Sequence, residues 1–176
     1  MRFFLIFASL MAAVSIALAQ GPASPSETAD GRIGHATIVI KYSAPSVRGR
    51  QIFGEGGLVM RDPTAPIWRA GANSATALHT DADLNIGGLT VPKGDYTLFV
   101  NVKDSNAWEL ILNKQTGQWG LNYDPSQDLG RVKMEMSKPS TPVETLKYTI
   151  TGAGGNKGTI QLAWENQVAS VPVTAK

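Results

Sequence analysis

The 176-residue chain contains no cysteine. That excludes disulfides, thiolate metal sites, a cysteine nucleophile and the lipid-bearing N-terminal cysteine of a lipoprotein. Histidine is scarce as well, His35 and His79 being the only two. So few leave little to build a Ser-His-Asp triad on, and neither a G-x-S-x-G elbow nor an S-x-x-K motif occurs. A large charge of either sign is also missing, because 16 Lys and Arg face 14 Asp and Glu. That balance argues against nucleic acid as a partner. Beyond the extreme N-terminus no stretch is apolar enough to span a membrane. No window there has the 3.6-residue period of an amphipathic helix, so no long helix is expected.

What is present begins with the layout of a secretory signal. Arg2 supplies a positive start, the run from Phe3 to Ala17 is apolar apart from two serines, and Ala17-Leu18-Ala19 fits the small-x-small cleavage pattern. Gln20-Gly21-Pro22 follows directly, with no basic stop of the kind that holds a spanning helix. Residues 1–19 are therefore expected to be removed as a signal peptide. The mature protein is expected in the periplasm or outside the cell, without a transmembrane anchor. Residues 20–34, rich in Pro, Ser, Gly and Ala, read as a flexible lead-in. Residues 35–176 read as one domain, large enough to bury a sizeable core.

Within that domain the hydrophobic period is two. Ala36, Ile38, Ile40 and Tyr42 share one face of a strand, and the same period places together Tyr96, Leu98, Val100 and Val102; Trp108, Leu110 and Leu112; Val132, Met134 and Met136; Leu146, Tyr148 and Ile150; and Ile160, Leu162 and Trp164. Turn-forming clusters separate these runs at Asn85 to Gly88, Pro92 to Asp95, Gly152 to Gly155 and Glu165-Asn166. Short strands with one apolar face imply an all-β fold. The polar outer faces favour an antiparallel β-sandwich, with jelly-roll-like or barrel-like closure as the alternative.

Two motifs fail on inspection. Asp81-Ala82-Asp83-Leu84-Asn85 opens like a calcium loop, but the sixth position is Ile86 instead of Gly and the twelfth is Pro92 instead of Glu. Gly152 to Thr159 looks like a phosphate-binding loop, yet Asn156 stands before the lysine and a strand follows where a helix is needed. His79, Asp81 and Asp83 would share a strand face, which suits a polar surface better than a metal centre. No metal and no cofactor is expected.

Two segments carry more than turn chemistry. In Ile67 to Thr76, Trp68, Arg69 and Asn73 stand among small residues that let a ligand approach, and Arg offers a planar fork for carboxylate or phosphate. In Asn113 to Tyr123, Trp119 stands in an amide-rich, glycine-flanked loop, a setting suited to stacking and hydrogen bonding to a sugar. Around the first segment the charge is lopsided. Arg32, Lys41, Arg48, Arg50, Arg61 and Arg69 oppose only Glu55 and Asp62. The dull readings are an arginine tying loop carbonyls and a tryptophan packed into the core.

These segments also carry a resemblance. Tyr42 to Gly54, Trp68 to Thr76, Val91 to Phe99, Asn113 to Tyr123, Asp128 to Val132 and the Trp164-Glu165 strand pair together resemble a family of exported bacterial proteins, domain of unknown function 2911. The resemblance covers nearly the whole mature chain and implies an exported β-rich domain. It implies no activity. The chain departs from the pattern at Gly56 to Pro66, a longer and more charged connection.

The expectation is a binding module for a small polar, anionic or saccharide-like ligand. Arg48, Arg50 and Arg69 would supply charge, Asn73 orientation, and Trp68 or Trp119 a stacking face. A hydrolase or isomerase acting on the same ligand class, with no catalytic residue yet identified, is the second reading. A cell-envelope interaction protein is the third.

Overall fold

The computed structural model describes residues 24–176, so the signal peptide expected over residues 1–19 lies outside the described residues. Among the described residues thirteen strands form two antiparallel sheets. The seven-stranded sheet runs β1 (Ser26–Ile33), β2 (Ala36–Ser43), β4 (Thr76–Thr80), β7 (Gly94–Asn101), β8 (Glu109–Asn113), β9 (Asp128–Lys133), with β3 (Ile67–Trp68) also paired to β7. The six-stranded sheet runs β11 (Val143–Gly154), β12 (Lys157–Glu165), β13 (Gln167–Ala175), β5 (Leu84–Ile86), β6 (Leu89–Val91), with β10 (Glu135–Ser137) on β13. Two short 3-10 turns are the helical elements among the described residues, Val59–Arg61 and Pro125–Gln127. The fold is an all-β sandwich, as the period-two pattern predicts.

The alternating apolar residues meet between the sheets. Ile38, Ile40 and Leu98 from one side and Ile160, Leu162 and Val171 from the other are all buried. At one end Phe53, Trp68, Trp108 and Trp164 form a ring cluster, with Trp68 stacked on Trp164 at 5.7 Å and 18°. Tyr42 and Tyr148 meet edge to face at 4.9 Å across the sheets.

One expectation needs correcting. Ser26–Ile33, read from composition as part of a flexible lead-in, is strand β1, in register with β2 from Ser26↔Ser43 to Ile33↔Ala36. Its exposed Glu27 and Asp30 belong to an edge strand, where charge discourages pairing with other chains. Pairing with β2 and the burial of Ile33 give it an order that its own residues do not advertise. The Asp81 to Asn85 motif resolves into turn chemistry. Asp81 accepts from the Thr37 amide (2.7 Å), Asp83 from Lys93 (2.8 Å) and Asn85 from Gly88 (2.9 Å). The Gly152 to Thr159 stretch is the β11–β12 hairpin, turning through left-handed Gly154 and Gly155.

Candidate functional site

The loop between β3 and β4 is tightly constrained. Trp68 points into the core, 2% exposed, with its Nε1 donating to the Gly71 carbonyl at 3.1 Å. One face lies on Trp164 and the ring has no free surface, so Trp68 offers no platform to a ligand. Ala70 holds a left-handed φ of 52°. A side chain there costs on the order of 1 kcal/mol. Its carbonyl is gripped from two directions, by Thr76 Oγ1 at 3.0 Å and Tyr148 Oη at 2.9 Å. Asn73, with a φ of 58°, repeats the left-handed turn at the surface.

Arg69 points to the opposite face of the seven-stranded sheet from Trp68. Its Nη2 pairs with Asp62 Oδ2 at 3.0 Å, and its stem passes beneath Gly120. A Cβ at Gly120 would lie 2.2 Å from Arg69 Cδ and 2.6 Å from the Asn73 carbonyl, so only glycine fits. The Gly120 amide donates to that same carbonyl at 3.1 Å, and Ser74 and Trp119 form an antiparallel bridge. Arg69, Asn73 and Trp119 are thus brought into one patch. Trp119 is 50% exposed, which overrides the dull reading of a core residue.

Arg48 and Arg50 do not join them. Arg48 is exposed and left-handed (φ 50°), with its amide bonded to Glu144 Oε1 at 2.9 Å. Arg50 folds back on its own loop, donating to the carbonyls of Val47 (3.0 Å) and Ser46 (2.6 Å). That loop leans on β11 through the Ser46–Thr145 contact. The basic cluster of the linear sequence is therefore dispersed, because closeness along a chain says nothing about the direction of side chains.

Beside the patch lies a groove that the sequence reading missed. Strand register sets two rows on the outer face of β2, β4 and β7: Val39, His79 and Asp95 in one, Lys41, Ala77 and Thr97 in the next. Ala77 is small, so its position is a dip among longer neighbours. The resulting cavity, about 470 Å³, is lined by Val39, Lys41, Ala77, His79, Asp95 and Thr116, among others. His79 Nδ1 is 2.8 Å from Asp95 Oδ1, and both side chains are largely exposed. His79 pairs with Asp95, while Asp81 and Asp83 are spent on backbone amides. Among the described residues no group of three or more metal-ligating side chains is assembled.

The wall of the groove is the segment following β8, which folds over the outer face of the sheet. Beneath it, Phe99 and Ile111 are wholly buried on the side opposite the main core. Thr97 Oγ1 donates to the Gln115 carbonyl at 2.7 Å. Asn113, also wholly buried, donates to the Asp124 carbonyl and Asp128 Oδ1, both at 2.9 Å, and accepts from the Gln115 amide at 3.0 Å. Tyr123 packs on Phe99 at 4.9 Å and donates to Asp128 Oδ2 at 2.7 Å, with Arg131 on the same hydroxyl at 2.8 Å. Burial, together with the Asp128 carboxylate, pushes the Tyr123 hydroxyl up to about 12. The signal for this second layer was the unbroken apolar runs Leu98-Phe99-Val100 and Leu110-Ile111-Leu112, too apolar for one-faced strands.

A family model described as "Protein of unknown function (DUF2911)" matches residues 24–173. No curated protein and no solved structure matches the chain.

Proposed function

We propose that this chain, which belongs to the DUF2911 family of proteins of unknown function, is a binding module for a small polar, saccharide-like ligand. Trp119 carries the reading. It is half exposed, yet its backbone is pinned through Ser74 on one side and through Gly120 to Asn73 on the other. A large aromatic left in water forgoes burial worth about 1.5–3 kcal/mol. Held in place, it offers a stacking face at little cost in ordering entropy. Asn73, whose carbonyl holds the Gly120 amide, adds an exposed side chain with its Nδ2 3.5 Å from Ser43 Oγ, and Thr116, on the Trp119 loop, leads into the groove.

The left-handed residues support the same reading, since such conformations persist where a surface must keep one shape. Arg69 acts from below as a positioning residue for the Trp119 loop. The dispersal of Arg48 and Arg50 removes the argument for a dedicated anion site. No observation favours the enzyme reading, because Asp95, the carboxylate of the groove, is exposed and not desolvated.

Binding of the purified protein to an array of neutral and acidic glycans, followed by calorimetry on the hits, tests the proposal. Wild type is expected to bind a defined glycan class. Trp119→Ala should weaken that binding about tenfold or more while its melting temperature stays put. Absence of any glycan binding, or a Trp119→Ala protein that binds like wild type, rejects it.

A further inference from the structure

We infer that the groove beside Trp119 is a subsite for a neutral, hydroxyl-rich glycan, with Asp95, His79 and Lys41 as its specificity-determining residues; this rests on the binding reading above. The strand register supplies the argument. Lys41 and Asp95 stand on β2 and β7, with β4 between them. Two strand spacings across the sheet and two residues along it therefore put their backbones roughly 12 Å apart, and the small Ala77 leaves the middle of the floor open. An ammonium on one flank offers only donors, and a carboxylate on the other only acceptors. His79, when neutral and donating Nδ1–H to Asp95, presents Nε2 as a further acceptor, while Thr116 adds a hydroxyl of either sense. Val39 and Ala77 supply apolar surface for the C–H face of a ring.

A hydroxylated sugar both donates and accepts, so it can use both flanks together. A uronic-acid oligomer carries a carboxylate on every ring. Its hydroxyls can reach either flank and one carboxylate can pair with Lys41, but the remaining carboxylates meet no cation and stand against Asp95. Among the described residues Lys41 is the one lysine lining the groove, and no arginine lines it. Like charges set against each other at an interface act mainly to reject the wrong partner. The ligand is also longer than one ring. The platform at Trp119 and the groove at Ala77 lie on one sheet face, joined by the Thr116 to Trp119 loop and by the chain from Ser74 into β4.

Isothermal titration with a neutral oligosaccharide and a uronic-acid oligomer of matched length tests this on wild type, Asp95→Asn and Trp119→Ala. Melting curves on each variant confirm folding. Asparagine keeps an oxygen for the His79 hydrogen bond and removes only the charge. Wild type should prefer the neutral oligomer by on the order of tenfold, and Asp95→Asn should bring the two close to parity. Equal or tighter wild-type binding of the uronic oligomer overturns the inference, as does an Asp95→Asn protein whose preference is unmoved. In both cases a loss of binding in Trp119→Ala leaves the binding-module reading standing. Wild-type affinity in Trp119→Ala, or no binding of either oligomer, overturns that reading too.

Discussion

Gly120 shows how a single residue governs the platform. Arg69 Cδ and the Asn73 carbonyl occupy the space a methyl group would need. Gly120→Ala is therefore expected to cost about 1–3 kcal/mol and to shift Trp119 emission, both readable in one denaturant titration followed by fluorescence. The Arg69–Asp62 pair is partly exposed, 15% and 23%. Its charge contribution is then ~1 kcal/mol at most, and Arg69→Lys should fold while its loop loosens. Tyr123 makes a pH-dependent contribution. Its folded value, about 12, lies above the ordinary 10.0. The folded state thus holds the proton more tightly, and its advantage is complete below pH 10 and lost as pH rises towards about 12. Burial raises Tyr42, Tyr96 and Tyr148 in the same direction. Melting temperature should fall across that window, and less steeply in Tyr123→Phe; an unchanged slope would remove Tyr123 from the account.

At the scale of elements, the strands with one apolar face were legible and the unusual ones were not. β1 is an edge strand of Ser, Glu, Thr, Asp and Gly whose main apolar contribution is Ile33, buried where a side chain on Gly158 would otherwise stand. Ile33→Ala should cost ~2–5 kcal/mol, measured as a shift in denaturant midpoint; an effect near zero would make β1 an ornament. The 114–127 segment reads as a polar hairpin loop, but Asn113 converts it into the groove wall. Asn113→Leu removes three hydrogen bonds at once and leaves Asp128 without its amide donor. Hydrogen exchange should then speed up from Lys114 to Gln127 while the β12–β13 core stays protected. The candidate site follows the same division. Trp119 and Asn73 could be chosen by residue type and glycine setting, whereas Lys41, His79 and Asp95 look like ordinary outward residues of three separate strands.

Over the whole molecule, three tryptophans hold the two sheets together and the fourth is left for the solvent. Trp108→Ala and Trp164→Ala should each cost ~3–5 kcal/mol, since both rings are 2% exposed within one aromatic cluster. A soluble quencher should reach Trp119 alone, and Trp119→Ala should leave an almost unquenchable spectrum. The export expectation is also testable on the whole chain. Intact mass of protein secreted by a native-like host should begin at Gln20, and retention of Met1 to Ala19 would overturn it.

Alternation of apolar and polar residues determined the all-β class and the inward faces, because a period of two gives each strand one apolar face that must be buried against another layer. Missing cysteine and scarce histidine determined which chemistries were closed. Only the tertiary structure brought the residues of the candidate site together. Side chains that form it come from β2, β4, β7 and two loops, and strand register sets them side by side. The run of basic residues was misleading for the same reason: Arg48, Arg50 and Arg69 are near in sequence, but their loops turn on left-handed residues that aim them apart. A linear pattern encodes which face a residue takes within its own strand. Which strand becomes its neighbour is settled by hydrogen-bonded pairing across the sheet.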